Sequence, residues 1–115
     1  MGITVSYQGS WLVAKLTGEL DVATVPAVRA KLEQALVDKI PAGLILDLTD
    51  VTFMDSSGLG FLLGRYQRLA ESGGATMIAG AQGQVRRVFE LSGLTKIIPQ
   101  VQTLAEALKA VGGES

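Results

Sequence analysis

The chain has 115 residues, of which 48% are hydrophobic and 18% are charged, and its formal net charge is −1. This length and composition predict a single folded domain over residues 1–115, and the near-neutral charge argues against a nucleic acid or an anionic membrane as partner. Because cysteine and histidine are both absent, disulfides, thiolate metal sites and a histidine-based catalytic triad are excluded.

The first part of the chain predicts a β-hairpin followed by a helix. Residues 3–7 and 11–17 are strand-like runs separated by a short turn. Residues 18–26 are predicted to form a loop. Thr24 is a candidate N-cap, and Pro26 suits the first turn of the helix that follows.

The middle of the chain predicts two buried strands joined by a helix. The run "LILDL" at 44–48 is too apolar to have a solvated face, so we expect a central strand covered on both sides. A helix begins near Ser56 and ends at Gly73 and Gly74. Residues 75–80 form the next buried strand.

The last third predicts two helices with a short strand between them. The first covers residues 83–91, and Gly93 follows it as a left-handed stop. The run "KII" at 96–98 is predicted to be a short strand, and Thr103 begins the last helix with a capping box. Alternating strands and helices predict an α/β fold with a mixed, mainly parallel sheet of four to five strands and about four helices.

The helix after Ser56 predicts two different faces. Its core face comprises Leu59, Leu62, Leu63, Tyr66, Leu69 and Ala70. Its opposite face comprises Ser57, Gly60, Phe61, Gly64 and Arg68. Glycines weaken a helix, and Phe and Arg are frequent at interface centres, so this face is a candidate protein interface. The alternative is that a neighbouring element of the same chain covers it.

Ser56 has two interpretations at the predicted helix start. A serine there can be the N-cap, although Asp55 or Ser57 could take that role. Alternatively, the helix dipole and free N–H groups make this position tolerant of a phosphate on Ser56. The residues alone leave both interpretations open.

Enzymatic, metal and membrane functions find little support. No histidine base accompanies the serines, no P-loop motif occurs, and the aspartates at 21, 47, 50 and 55 are scattered. No apolar run reaches membrane-spanning length, and no signal peptide is recognisable. We therefore expect a cytoplasmic protein that is not an enzyme and has no metal or cofactor of its own.

Three blocks of sequence resemble a known family. They are "GELD" at 18–21, "LILDLTDVTFMDSSGLGFLLGRYQRL" at 44–69 and "VRRVFELSGLTKII" at 85–98. In this order and at this spacing they are similar to the STAS domain of anti-sigma factor antagonists, particularly the sporulation type. The resemblance extends over nearly the whole chain.

The resemblance implies a switch. An unphosphorylated antagonist binds an anti-sigma factor that is also a serine kinase, and thereby releases a sigma factor. The kinase then uses its own ATP and magnesium to phosphorylate the first serine after the aspartate, here Ser56, and a phosphatase reverses the step. Combining the motif with the helical face gives these candidate partner-binding residues: Asp21, Asp55, Ser57, Gly58, Gly60, Phe61, Gly64 and Arg68.

Two other functions remain open at this point. STAS domains also serve as non-switching adaptors in stress-signalling or lipid-transport complexes, which need the fold but no phosphorylation. A small nucleotide-binding or hydrolytic domain is a third possibility, although the chain lacks a base for it.

Overall fold

A five-stranded mixed sheet forms the centre of the molecule. The computed structural model describes residues 2–112, apart from the side chain of Asp38. The strands lie side by side in chain order: β1 (Gly2–Gln8), β2 (Trp11–Leu20), β3 (Gly43–Met54), β4 (Ala75–Ala79) and β5 (Gln100–Val101). The pair β1–β2 is antiparallel, and the other three pairs are parallel. The predicted mixed, mainly parallel sheet is confirmed.

Four α-helices cover the two faces of the sheet: α1 (Val25–Asp38), α2 (Ser56–Glu71), α3 (Gly83–Leu91) and α4 (Leu104–Gly112). Side chains of α1, α2 and α3 share the main core, whereas α4 closes a smaller core on the opposite face through Ala107. Alternate residues of β3 point into the two cores, and residues 43–48 are all buried. The predicted doubly covered central strand is therefore confirmed.

Both strands that lead to the start of α2 are longer than the sequence indicated. Residues 18–20, predicted as loop, continue β2, and β3 runs on to Met54. The reason is pairing: β2 and β3 stay in parallel register up to Leu20 and Met54, with two irregularities near Lys15 and Gly18. As a result, both strands end at the same edge of the sheet, beside the first turn of α2.

The predicted strand at 96–98 is wrong. A 3₁₀ turn occupies Leu94–Lys96, and the N–H groups of Ile97 and Ile98 both donate to the carbonyl of Leu94. These donors are therefore unavailable to a sheet. The edge strand β5 forms only after Pro99, where the carbonyl of Val101 accepts from Gly80.

The predicted end of α3 and the start of α4 at Thr103 are confirmed, although among the described residues only the threonine half of the predicted capping box forms. Helix α3 covers 83–91 with Val85 and Phe89 buried, and Gly93 follows it at φ +82°. At the start of α4, the hydroxyl of Thr103 accepts from the N–H of Glu106 at 3.1 Å, as a capping residue should. None of the helices between residues 2 and 112 is long and apolar enough to cross a membrane.

The predicted faces of α2 are partly wrong, and Phe61 is the main error. Phe61 is only 2% exposed and belongs to the core, where we expected it to face solvent. The buried positions are Gly58, Phe61, Leu62, Arg65 and Leu69, so the buried arc is rotated from the predicted one. Arg65 lies on this arc, where its guanidinium is 3.6 Å from the carboxylate of Glu33 on α1.

Candidate functional site

Asp55 organises the first turn of α2. It is the N-cap, and its Oδ1 accepts hydrogen bonds from the N–H groups of Ser57 at 2.8 Å and Gly58 at 3.1 Å. Its other oxygen, Oδ2, accepts from the N–H of Val22 at 3.3 Å. One carboxylate thus caps the helix and attaches it to the loop at 21–24. Of the three candidate caps, the structure selects Asp55.

Ser56 is the first residue of α2 and lies on the surface. Asp55 provides the cap, so the helix does not need the Ser56 hydroxyl for that role. That hydroxyl makes no hydrogen bond to any group in the described part of the chain. The site therefore presents an exposed hydroxyl, which the fold does not use for a hydrogen bond, at the electropositive end of a sixteen-residue helix.

The loop that carries Asp21 lies beside this helix start, as the resemblance implied. Asp21 Oδ1 accepts from the N–H groups of Ala23 and Thr24, at 3.0 and 3.1 Å, so the carboxylate stabilises its own loop. Thr24 occupies the N-cap position of α1 as predicted, but its side chain does not cap that helix. Its hydroxyl instead donates to the carbonyl of Glu19 and accepts from the N–H of Asp21.

Gln84 of α3 holds the other side of the site. Its side-chain amide donates to the carbonyl of Met54 at 2.9 Å and accepts from the N–H of Met54 at 3.0 Å. On the opposite side, the N–H of Asp55 donates to the carbonyl of Leu20 at 3.3 Å. The chain entering α2 is therefore fixed from both sides. No local pattern indicated Gln84, because it lies thirty residues from Met54 in sequence.

The predicted partner-binding residues divide by burial. Gly58 is buried and offers no surface to a partner, which corrects its assignment, whereas Phe61 is only 2% exposed but still lines the groove described below. Ser57 and Gly64 are partly exposed, and Gly60 is exposed. Arg68 also reaches solvent, with its side chain 68% exposed.

Two exposed apolar residues were missed by the sequence reasoning. Phe53, at the end of β3, is 40% exposed, and Val22, in the 21–24 loop, is 72% exposed. Val22 also lines an open groove of about 450 Å³, whose other lining residues are Val25, Pro26, Arg29, Ser57, Gly60 and Phe61. Phe53 could have been found from its position three residues before Ser56. The apolar surface at this end of the sheet is suited to protein contact.

Gly58 is required by close packing, and its substitution is a first testable prediction. A Cβ at position 58 would lie 2.6 Å from the carbonyl oxygen of Leu20, a backbone atom that cannot move aside freely. We expect Gly58→Ala to lower the free energy of unfolding by about 1–3 kcal/mol through this overlap.

Gly60 supplies the matched control for Gly58, because a Cβ there meets no atom within 4 Å. Alanine has the higher helix propensity, so Gly60→Ala should raise stability by up to about 1 kcal/mol. Urea denaturation of both variants measures whether each substitution raises or lowers the free energy of unfolding. A destabilised Gly60→Ala, or an unaffected Gly58→Ala, would contradict the packing described.

The cap at Asp55 gives a second prediction. Asp55→Ala removes the acceptor for three backbone N–H groups, so we expect a loss of about 1–2 kcal/mol in the free energy of unfolding. Asp50→Ala is the control, since Asp50 is exposed and its carboxylate bonds to nothing in the described residues. Equal melting temperatures for the two variants would show that the cap contributes nothing.

Comparison with known protein families relates the chain to one family. The sequence model of the STAS domain matches residues 3–107. An anti-sigma F factor antagonist of Paenibacillus polymyxa is 35% identical over 106 residues, which cover 92% of this chain and 91% of the relative. An anti-sigma-B factor antagonist of Listeria monocytogenes is 36% identical over 85 residues, which cover 72% of each chain. Both names describe binding proteins and not enzymes.

Comparison with solved structures points the same way. The unphosphorylated form of the anti-sigma factor antagonist SpoIIAA superimposes with a TM-score of 0.76 at 29% identity, covering 97% of this chain and 99% of SpoIIAA. The phosphorylated form of the Bacillus cell fate determinant SpoIIAA gives a TM-score of 0.74 at 32% identity, covering 96% and 99%. Both forms of that protein share the fold described above.

Proposed function

The chain belongs to the STAS domain family, and on this premise we propose that it is an anti-sigma factor antagonist switched by phosphorylation of Ser56. The unphosphorylated form binds an anti-sigma factor that is also a serine kinase, and a sigma factor is released. Phosphorylation of Ser56 ends the complex, and a separate serine phosphatase restores the binding form. ATP and magnesium act only within the partner kinase.

The observation that carries this proposal is that Asp55, and not Ser56, caps the helix. The Asp55 carboxylate accepts two hydrogen bonds from the first turn of α2 and one from Val22, while the Ser56 hydroxyl is exposed and makes no hydrogen bond within the described residues. A kinase can therefore modify Ser56 without breaking a contact of the fold. Similarity to antagonists over most of the chain, and to SpoIIAA in both forms, supports the same function.

The groove and apolar residues around Ser56 supply the surface for the anti-sigma factor. Val22, Ser57 and Gly60 line the groove beside the first turn of α2, and Phe53 is exposed three residues before Ser56, so we expect a partner that covers Ser56 to contact them as well. Gly60 leaves open space above the helix, which lets a partner backbone approach closely. Arg68 follows Ser56 by twelve residues along α2, which places it about 18 Å from Ser56. It stays a candidate partner-binding residue at the far edge of this surface.

Phe53 provides the test of this surface. Phe53→Ala removes a half-exposed aromatic ring three residues before Ser56, and we expect affinity for the anti-sigma factor to fall about thirtyfold, the loss typical of an interface anchor. Leu91→Ala is the matched control, because Leu91 is 82% exposed at the far end of α3. Calorimetry measures both affinities. If the two variants bind equally well, the interface lies elsewhere.

Displacement of sigma tests the function as a whole. Adding the unphosphorylated chain to a complex of sigma factor and anti-sigma factor should release sigma, as measured by gel filtration. Relatives named anti-sigma F factor antagonist and anti-sigma-B factor antagonist are both similar to this chain, so complexes of sigma F and of sigma B with their anti-sigma factors are the two arms of the experiment. Binding to neither anti-sigma factor would favour the non-switching adaptor.

A further inference from the structure

Arg65 is a largely buried cation whose guanidinium group keeps some contact with solvent and has one carboxylate partner among the described residues, Glu33. The residue is 7% exposed, and its guanidinium makes no hydrogen bond to any described group. Its ion-pair partner is Oε1 of Glu33 at 3.6 Å, and the same oxygen lies 3.8 Å from the guanidinium of Arg68. Burial of a charge is costly unless the charge is paired and hydrogen-bonded.

The electrostatic environment of Arg65 is dominated by positive charge. Burial lowers the pKa of Arg65, Arg68 and Arg29 lower it further, and Glu33 raises it. Two guanidinium groups thus share the Glu33 carboxylate, and Arg29 adds further positive charge to the surroundings of Arg65. Since Glu33 is already divided between two arginines, the site has a deficit of negative charge and a surplus of N–H donors.

A cavity of about 150 Å³ opens beside these arginines, between the C-terminal halves of α1 and α2. Apart from Arg65 and Arg68, it is lined by Leu36, Ile40, Leu44 and Leu69, with the hydroxyl-bearing Ser72 at the end of α2. A cavity of about this size accommodates a benzene-sized apolar group. The lining therefore combines an apolar wall with two guanidinium groups.

We propose that this cavity binds a small carboxylic acid with an apolar body of about six carbons. The carboxylate lies against Arg65 and Arg68, whose planar guanidinium groups match carboxylate geometry, and the hydrocarbon lies against Leu36, Ile40 and Leu69. The site is separate from Ser56 and is reached from solvent on the α1–α2 surface. The proposal does not depend on the partner or the phosphorylation proposed above.

The experiment is a titration followed by backbone amide NMR, with hexanoate as the probe. We expect saturable shifts at Leu36, Ile40, Arg65, Leu69 and Ser72, with a dissociation constant on the order of 1 mM, as suits a ligand of this size. Acetate tests charge without the apolar body, and 1-hexanol tests the apolar body without charge. Each should bind at least about tenfold more weakly than hexanoate.

Variants test the arginines directly. Arg68→Gln should weaken hexanoate at least about fivefold, and because Arg68 is exposed the variant should keep the fold. Arg86→Gln on α3, which loses an arginine paired with Glu90, is the control and should bind like the original chain. The proposal is overturned if hexanoate gives no saturable shifts, if acetate or 1-hexanol binds equally well, or if Arg68→Gln binds hexanoate unchanged.

Discussion

Replacing Ser56 with alanine should abolish phosphorylation and leave a permanently active antagonist. The hydroxyl is the proposed acceptor, and without it the kinase can bind the chain but cannot release it. Ser56 is exposed and is not the helix cap, so the substitution should change the free energy of unfolding by less than about 0.5 kcal/mol. Incubation with the kinase and ATP, followed by mass spectrometry, measures phosphate, and calorimetry measures binding.

Ser57→Ala is the control for Ser56→Ala. Ser57 follows Ser56 directly and its N–H is bound by Asp55, so its hydroxyl can be removed while the cap remains. Ser57→Ala should still be phosphorylated. Stoichiometric phosphate on Ser56→Ala, or mapping of the phosphate to Ser57 in the original chain, would show that the acceptor is wrongly assigned.

The sequence was sufficient for most of the fold because local signals agreed with the tertiary structure. Apolar strands such as 44–48 and the left-handed stop at Gly93 are determined within a few residues. The strand predicted at 96–98 failed because β-branched residues favour a strand only if their N–H groups are available to one. Here Leu94 accepts two of those hydrogen bonds within a turn.

The site was harder to predict because its key contacts are distant in sequence. The motif indicated Ser56, but not that Asp55 would cap the helix and also hold Val22, which is thirty-three residues away. Phe61 was misplaced because a helical wheel counts leucines as core and an arginine as surface. In the structure Arg65 turns inward to Glu33, and Phe61 is buried with it. Neither the contact of Asp55 with Val22 nor that of Arg65 with Glu33 produces a periodic pattern in the sequence.

Phosphorylated Ser56 should lower affinity for the anti-sigma factor at least about a hundredfold while the domain keeps its structure. The phosphate adds about −1.5 to −2 charges at neutral pH. In the free protein it is solvated, because Ser56 lies on the surface. In the complex the same group would be covered by a partner that fits a neutral hydroxyl, and about 3 kcal/mol of desolvation or repulsion gives this loss.

The structure limits how much the helix itself can stabilise this phosphate. Asp55 already accepts from the N–H groups of Ser57 and Gly58, which leaves mainly the N–H of Ser56 and the helix dipole for the new group. The Asp55 carboxylate is also a like charge next to it. The phosphate therefore competes with Asp55 for the helix start, and any displacement of Asp55 loosens its hydrogen bond to Val22.

This competition specifies where the modification should be visible. Backbone amide shifts between the two forms should be confined to residues 55–60 and the adjoining segment at 18–24, which Asp55 links to the helix. Asp55→Asn keeps an acceptor but removes the like charge, so its phosphorylated form should show smaller shifts at Val22 than the original chain. Shift changes spread through β4 and α4 would instead indicate an allosteric switch. Local shifts with unchanged affinity would mean that the partner does not cover Ser56.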